Sequence, residues 1–188
     1  INDKEIYLSV GELDYGNLYK YDLKSKNFNK ISLSVEVLSR IDIAKNKPVA
    51  VYTGTSISTP KKLYTIDLKK GTNKLIAFPE KERFQHIKFG KTETWNFVNK
   101  SGTTIYGRVY YPPFYDETKK YPVIVNYYGG TSPIERSFGG RYPINNWAAN
   151  GYIVYVLQPS GATGFGQDFS ALHVNGWGFD AIDDIIDG

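Results

Sequence analysis

The sequence of 188 residues contains no cysteine and no methionine, and its only histidines are His86 and His173. Without thiols there is no disulfide, no thiolate metal site and no cysteine nucleophile. The missing cysteine does not by itself choose a compartment. No stretch approaches the roughly 20 apolar residues of a membrane-spanning helix. The formal net charge is +4, but the basic residues are interspersed, the densest spots being pairs such as Lys69-Lys70 and Lys119-Lys120. A nucleic-acid-binding protein calls for a basic stripe and a binding motif, and neither is present. The opening residues Ile1-Asn2-Asp3-Lys4-Glu5 have neither an initiator methionine nor the pattern of a signal peptide. The last residues, Asp187-Gly188, fall inside what reads as a helix. Both ends are therefore expected to be cuts in a longer polypeptide.

What the sequence does have is apolar and aromatic. Hydrophobic residues make up 41% of it, enough for a packed core, and it carries 16 tyrosines and 10 phenylalanines. Aromatic and β-branched residues suit a pleated, half-buried surface, so strands are expected to dominate. The first half repeats itself. Leu18-Tyr19-Lys20-Tyr21-Asp22-Leu23-Lys24 and Leu63-Tyr64-Thr65-Ile66-Asp67-Leu68-Lys69 lie 45 residues apart and agree at five of seven positions. Asn29-Lys30-Ile31 is echoed by Asn73-Lys74-Leu75, and Ile6–Val10, Val35–Ile43 and Lys47–Tyr52 are further short strand candidates. Several short strands in a unit of this length match a β-propeller blade. The alternative is a pair of hairpins in a small β domain.

The character changes near Phe84–Phe97. Ile105–Tyr111 alternates as a strand does, and Pro112-Pro113 interrupts it. Tyr121–Tyr128 is a near-continuous apolar strand that runs into Gly129-Gly130, a pattern expected of a strand buried on both faces. Asn145–Asn150 reads as a helix stopped by Gly151. Tyr152–Leu157 is a second continuous apolar strand, Gly161–Gly166 a glycine-rich loop, and Phe179–Asp187 the start of a helix. Alternating strands and helices of this kind are expected of an α/β sheet.

These motifs in order carry a resemblance over roughly residues 95–188. They are Tyr121-Pro122-Val123-Ile124-Val125-Asn126-Tyr127-Tyr128-Gly129-Gly130, then, after 21 intervening residues, Tyr152 through Gly166, then Phe169, His173, Trp177-Gly178 and Asp183-Asp184. The sequence resembles the start of the catalytic domain in the prolyl oligopeptidase family, including its dipeptidyl-peptidase and acylaminoacyl-peptidase branches. The resemblance implies a mixed fold, in which residues 1–90 are the last blades of a β-propeller and residues 91–188 the first part of an α/β-hydrolase domain. It implies a serine peptidase that cleaves short peptides by acyl transfer with a Ser-His-Asp triad. Tyr128 then stands at the oxyanion-donor position, where family members place Tyr or His. Apart from the resemblance, Tyr128 reads as a core tyrosine with a satisfied hydroxyl.

The nucleophile motif Gly-x-Ser-x-Gly is absent. Gly54-Thr55-Ser56-Ile57-Ser58 lacks the second glycine, and Gly130-Thr131-Ser132-Pro133 also fails. By the resemblance, the serine, aspartate and histidine of the triad lie beyond residue 188, so these residues alone are expected to be inactive. His86 and His173 read as structural or surface residues. Many relatives carry Arg where Ser160 stands, so a bidentate partner for nearby carboxylates or carbonyls is missing. Asp180, Asp183, Asp184 and Asp187 read as structural, favouring the N-terminal half of a helix through its dipole. The resemblance implies no cofactor or metal, peptides as substrates, an exported and hence extracytoplasmic location, and room for a homodimer of the parent protein. Two rival readings stand beside it: an α/β-hydrolase esterase, against which the propeller-like repeats argue, and a non-catalytic propeller-containing binding protein.

Overall fold

The computed structural model describes residues 4–176 and 178–188. The opening Ile1-Asn2-Asp3 and Trp177 of the Trp177-Gly178 motif lie outside the described residues. The chain divides into two compact units. One holds the residues up to Ile87 together with Glu135–Phe138, and the other holds Lys88–Ile134 and Gly139–Gly188.

The first unit is built from strands β1 (Glu5–Glu12), β2 (Tyr15–Asp22), β3 (Phe28–Ile31), β4 (Val37–Ile43), β5 (Val49–Ser56), β6 (Thr59–Asp67) and β7 (Thr72–Ala77), followed by a single turn of helix, α1 (Lys81–Phe84). They form one sheet of order β1-β2-β4-β5-β6-β7, with β3 beside β2. β1, β2 and β3 form one antiparallel meander and β4 to β7 another. A single parallel bridge, Gly16 to Val37, joins the two.

The sequence repeat acquires a physical cause here. Asp22 ends β2, and its Oδ1 accepts the amides of Lys24 at 3.0 Å and Ser25 at 2.7 Å. Asp67 ends β6 and does the same for Lys69 at 2.9 Å and Lys70 at 3.0 Å. An aspartate that captures main-chain N–H groups two and three residues on closes a hairpin without help from tertiary packing. The same bonds hold both carboxyls below their ordinary range, led by the Ser25 amide at Asp22 and the Lys70 amide at Asp67. The burial pattern does not repeat with the turn. In the first copy Leu18 is buried, whereas in the second it is Tyr64 and Ile66, on the opposite face of the pleat from the equivalent Leu63.

The core of this unit is Leu18, Leu38, Ala50, Tyr52, Tyr64 and Ile66. The rings of Tyr52 and Tyr64 stack with centroids 5.2 Å apart. The buried Tyr52 hydroxyl donates to Asn73 Oδ1 at 2.7 Å and accepts the Ser34 amide at 3.0 Å, which meets the hydrogen-bonding demand of a buried phenol. Arg136 belongs to the same unit. Its Nε donates to Glu36 Oε1 at 2.7 Å, its guanidinium lies over the Tyr15 ring, and Glu36 Oε2 accepts the Ile57 amide at 2.7 Å.

The second unit contains β8 (Thr92–Thr94), β9 (Phe97–Val98), β10 (Thr104–Tyr110), β11 (Val123–Tyr127), α2 (Ile144–Ala149), β12 (Ile153–Gln158), α3 (Gln167–Ala171) and α4 (Phe179–Asp187). Its sheet runs β11-β12-β10-β8, with β9 on β10. The β11–β12 pair is parallel and the other pairs are antiparallel. The parallel pair is bridged by α2, the crossover that such a pair requires. The helix stops where Gly151 adopts a φ of 89°. Residues Val154 to Gln158 of β12 are all buried, as a continuous apolar run predicts. The run in β11 behaves differently. Val123, Val125 and Tyr127 are exposed while Asn126 is buried, so only one face of this strand is covered. The helix that follows β11, α2, packs on β12 and β10 and does not cover the outer face of β11 to the same extent.

Taken together, the described residues are mostly sheet with few helices, and neither sheet closes on itself. None of their helices is long and apolar enough to cross a membrane.

Candidate oxyanion site at the end of a parallel strand pair

Parallel pairing sets β11 and β12 level. Val123 pairs with Ile153 and, at the far end, Tyr127 with Leu157. The two strands therefore deliver their following loops, 128–134 and 159–166, to the same edge of the sheet. In open α/β sheets this carboxyl edge is where ligands bind. Tyr128 is the first residue past β11. It is 53% exposed, so it is not the core tyrosine that composition alone would suggest. No described residue hydrogen-bonds its hydroxyl. Tyr127, one position earlier, shares the exposed face of Val123 and Val125.

The loop after Tyr128 is held by residues that pattern reading did not single out. Gln158, the last residue of β12, is only 2% exposed. Its side-chain Nε2 donates to the Ile134 carbonyl at 2.7 Å, and its Oε1 accepts the Ile134 amide at 2.9 Å. Arg108 of β10 is also buried, and its Nη1 and Nη2 both donate to the Ile134 carbonyl at 3.1 Å. Its Nε donates to the Tyr110 hydroxyl at 2.9 Å. Nearer the strand, the Thr163 amide and hydroxyl both donate to the Thr131 carbonyl, at 2.7 and 3.0 Å, linking the two loops. A polar residue closing an apolar strand was the available signal for Gln158. An alternating strand hid Arg108, because burial of an arginine is decided by partners distant in sequence.

Ser160, where the resemblance leads to an expectation of Arg, meets a nearby carboxylate with its main chain. Asp184 of α4 is fully buried. Its Oδ2 accepts the Ser160 amide and its Oδ1 the Asn99 side-chain amide, each at 2.7 Å. The helix-dipole account of the four aspartates holds only for Asp180, which sits in the first turn of α4. Asp184 points into the core, and Asp187, at the C-terminal end, pairs with Lys100. The Tyr155 hydroxyl is buried with no hydrogen-bond partner among the described residues. Burial first, and the Asp184 charge second, push it up to about 12.

Of the remaining sequence candidates, Ser132 lies in the loop after Tyr128, Ser56 and His86 belong to the first unit, and His173 to the second. Ser56 ends β5 in the first unit, where its hydroxyl accepts the Glu36 amide at 3.1 Å. His86 follows α1 in that unit, and His173 lies in the turn after α3, its amide bonded to the Ser170 carbonyl.

No family model matches the chain. A protein of Aspergillus terreus named "Probable dipeptidyl-peptidase 5" is 32% identical over 167 residues, covering 88% of this chain and 22% of that protein. The chain belongs to the prolyl oligopeptidase family of serine peptidases. Among solved structures, the acylaminoacyl peptidase of Pyrococcus horikoshii superposes with a TM-score of 0.84 at 22% identity, covering all of this chain and 29% of that one. An acylaminoacyl peptidase in complex with Z-Gly-Gly-Phe-chloromethyl ketone gives the same score, identity and coverage. At that identity the likeness establishes the fold and nothing finer. The chain spans about a fifth of the length of the dipeptidyl-peptidase it matches in sequence.

Proposed function

We propose that these residues are part of a longer serine peptidase of the prolyl oligopeptidase family that hydrolyses short peptides. In this reading residues 1–90 are the last blades of a β-propeller, which restricts access to small or unfolded peptides. Residues 91–188 begin an α/β-hydrolase domain whose serine, histidine and aspartate lie beyond residue 188. The serine attacks the peptide carbonyl, the histidine takes its proton and returns it to the leaving amine, and the aspartate orients the histidine. The Tyr128 phenol donates to the oxyanion of the tetrahedral intermediate, beside the main-chain N–H that follows the serine.

The observation that carries the reading is the position of Tyr128: first residue off a parallel strand, at the carboxyl edge of the sheet, half exposed, with its hydroxyl uncommitted among the described residues. The identity to a dipeptidyl-peptidase over most of the chain supports the reaction class. The test is direct. The full-length gene product should release product from dipeptidyl or acylaminoacyl chromogenic substrates and react with a fluorophosphonate at one serine downstream of Gly188. The 188 residues alone should do neither. Labelling within these residues, or a parent gene without a downstream Gly-x-Ser-x-Gly, would remove the proposal.

A further inference from the structure

Gly129 and Gly130 follow Tyr128 as a pair, yet the structure gives them different reasons to be glycine. Neither has a φ in the left-handed region, so the backbone at both would accept an L side chain. A Cβ at Gly129 would meet nothing within 4 Å. A Cβ at Gly130 would lie 2.7 Å from Cε1 of Tyr128, 3.2 Å from its Cζ and 3.3 Å from its hydroxyl oxygen. The demand for glycine at position 130 therefore comes from one tyrosine ring and from no backbone strain.

We propose that Gly130 is a positioning residue for Tyr128, its bare Cα forming the seat against which the edge of the phenol rests. The inference rests on the oxyanion reading of Tyr128 given above. If a methyl group were added at position 130, something would have to move until the 2.7 Å approach reached the 3.4 Å of an ordinary contact. The loop cannot yield easily. It continues from β11 and is bonded at Thr131 by Thr163 and at Ile134 by Gln158 and Arg108. The ring can yield, because it is 53% exposed and no described residue hydrogen-bonds it. Folding should therefore survive the methyl group while the hydroxyl is displaced. A displacement on the order of 1 Å from a reacting centre can cost about 10²-fold in rate.

The test uses the full-length enzyme and four variants: Gly130→Ala, Gly129→Ala, Tyr128→Phe, and Tyr128→Phe with Gly130→Ala. The measurements are kcat and KM on a chromogenic peptide substrate, with urea midpoints alongside. Gly130→Ala is expected to lower kcat by about 10- to 100-fold, with KM and the urea midpoint nearly unchanged. Gly129→Ala should match the parent. In the Tyr128→Phe background there is no hydroxyl left to displace, so Gly130→Ala should then cost no more than about twofold. Equal losses in both backgrounds would mean that the methyl group damages the loop itself, and would overturn the proposal. So would an undiminished kcat for Gly130→Ala beside a large loss for Tyr128→Phe. If Tyr128→Phe alone leaves kcat intact, the oxyanion reading fails first, and the role of Gly130 falls with it.

Discussion

The main-chain amide of Ser160 donates to the Oδ2 of Asp184 at 2.7 Å, inside the second unit, with the Asn99 amide on the other carboxylate oxygen. A buried carboxylate is held here by one backbone and one side-chain N–H donor. Removing it strands both donors, and each unpaired buried group costs about 1–3 kcal/mol. Asp184→Ala should therefore lower unfolding free energy by about 2–6 kcal/mol in urea titrations. Ser160→Ala keeps the amide and should cost less than about 1 kcal/mol. Similar losses at both positions would show that the Ser160 side chain, and not its backbone, carries the contact.

Tyr155 supplies an alkaline signature. Its hydroxyl is raised from the ordinary 10.0 to about 12 in the folded chain. Between those values the unfolded chain has lost the proton and the folded chain keeps it, so the folded state binds more protons and stability falls as pH rises. The contribution is fully present below pH 10 and is lost by about pH 12, an upper limit of about 2–3 kcal/mol. Tyr155→Phe removes a buried hydroxyl with no described partner, so at neutral pH it should be neutral or stabilising. It should also flatten the loss between pH 10 and about 12. Urea midpoints measured across that range for both proteins decide the matter.

Tyr127 and Tyr128 form a natural control pair in the full-length enzyme. Tyr128→Phe deletes only the hydroxyl of a half-exposed ring, and the loss of one oxyanion donor typically lowers kcat by about 10²–10³. Charge on the oxyanion exists only in the transition state, so KM should hardly change. Tyr127 shares the face of Val123 and Val125, and Tyr127→Phe should be nearly silent. Equal, small effects would reduce Tyr128 to a structural residue, and a reversed order would put the oxyanion donor one residue earlier.

Self-association of the 188 residues is the fourth expectation. β11 ends its sheet with Val123, Val125 and Tyr127 exposed, and β1 and β7 end the other sheet. Exposed strand edges pair with further chains. Light scattering should show a mass that grows with concentration, and a constant monomer mass up to high concentration would count against it.

Much of this was legible in the sequence because the relevant forces are local. Asp22 and Asp67 close hairpins by reaching two and three residues ahead, so a repeat in the letters marked a repeat in the turns. The continuous apolar run of β12 announced burial on both faces, and Gly151 stopped α2 as its position suggested. The same reasoning misjudged β11, since an apolar run cannot report whether another element packs over each face of the sheet. It also could not give the burial phase of the two hairpins, which shifts between Leu18 and the Tyr64–Ile66 pair. The short helices α1 and α3 were not anticipated. At the candidate site Tyr128 was visible through a motif. Asp184 and Gln158 lay within the motifs, but their buried bonds, like those of Arg108 and Asn99, were not legible, because each is given its role by a partner 24 or more residues away.

The amide of Gln158 has a consequence for what the loop can tolerate. It bonds both main-chain groups of Ile134, much as a neighbouring strand would. The stretch from Gly129 to Pro133 is thus a span between two fixed piers, β11 at one end and a side chain at the other. A residue inserted into such a span cannot be absorbed by sliding the register at either end, and it must bulge outward, past the tyrosine. Natural or designed variation in the length of this span should therefore change how the phenol is presented before it changes whether the sheet forms.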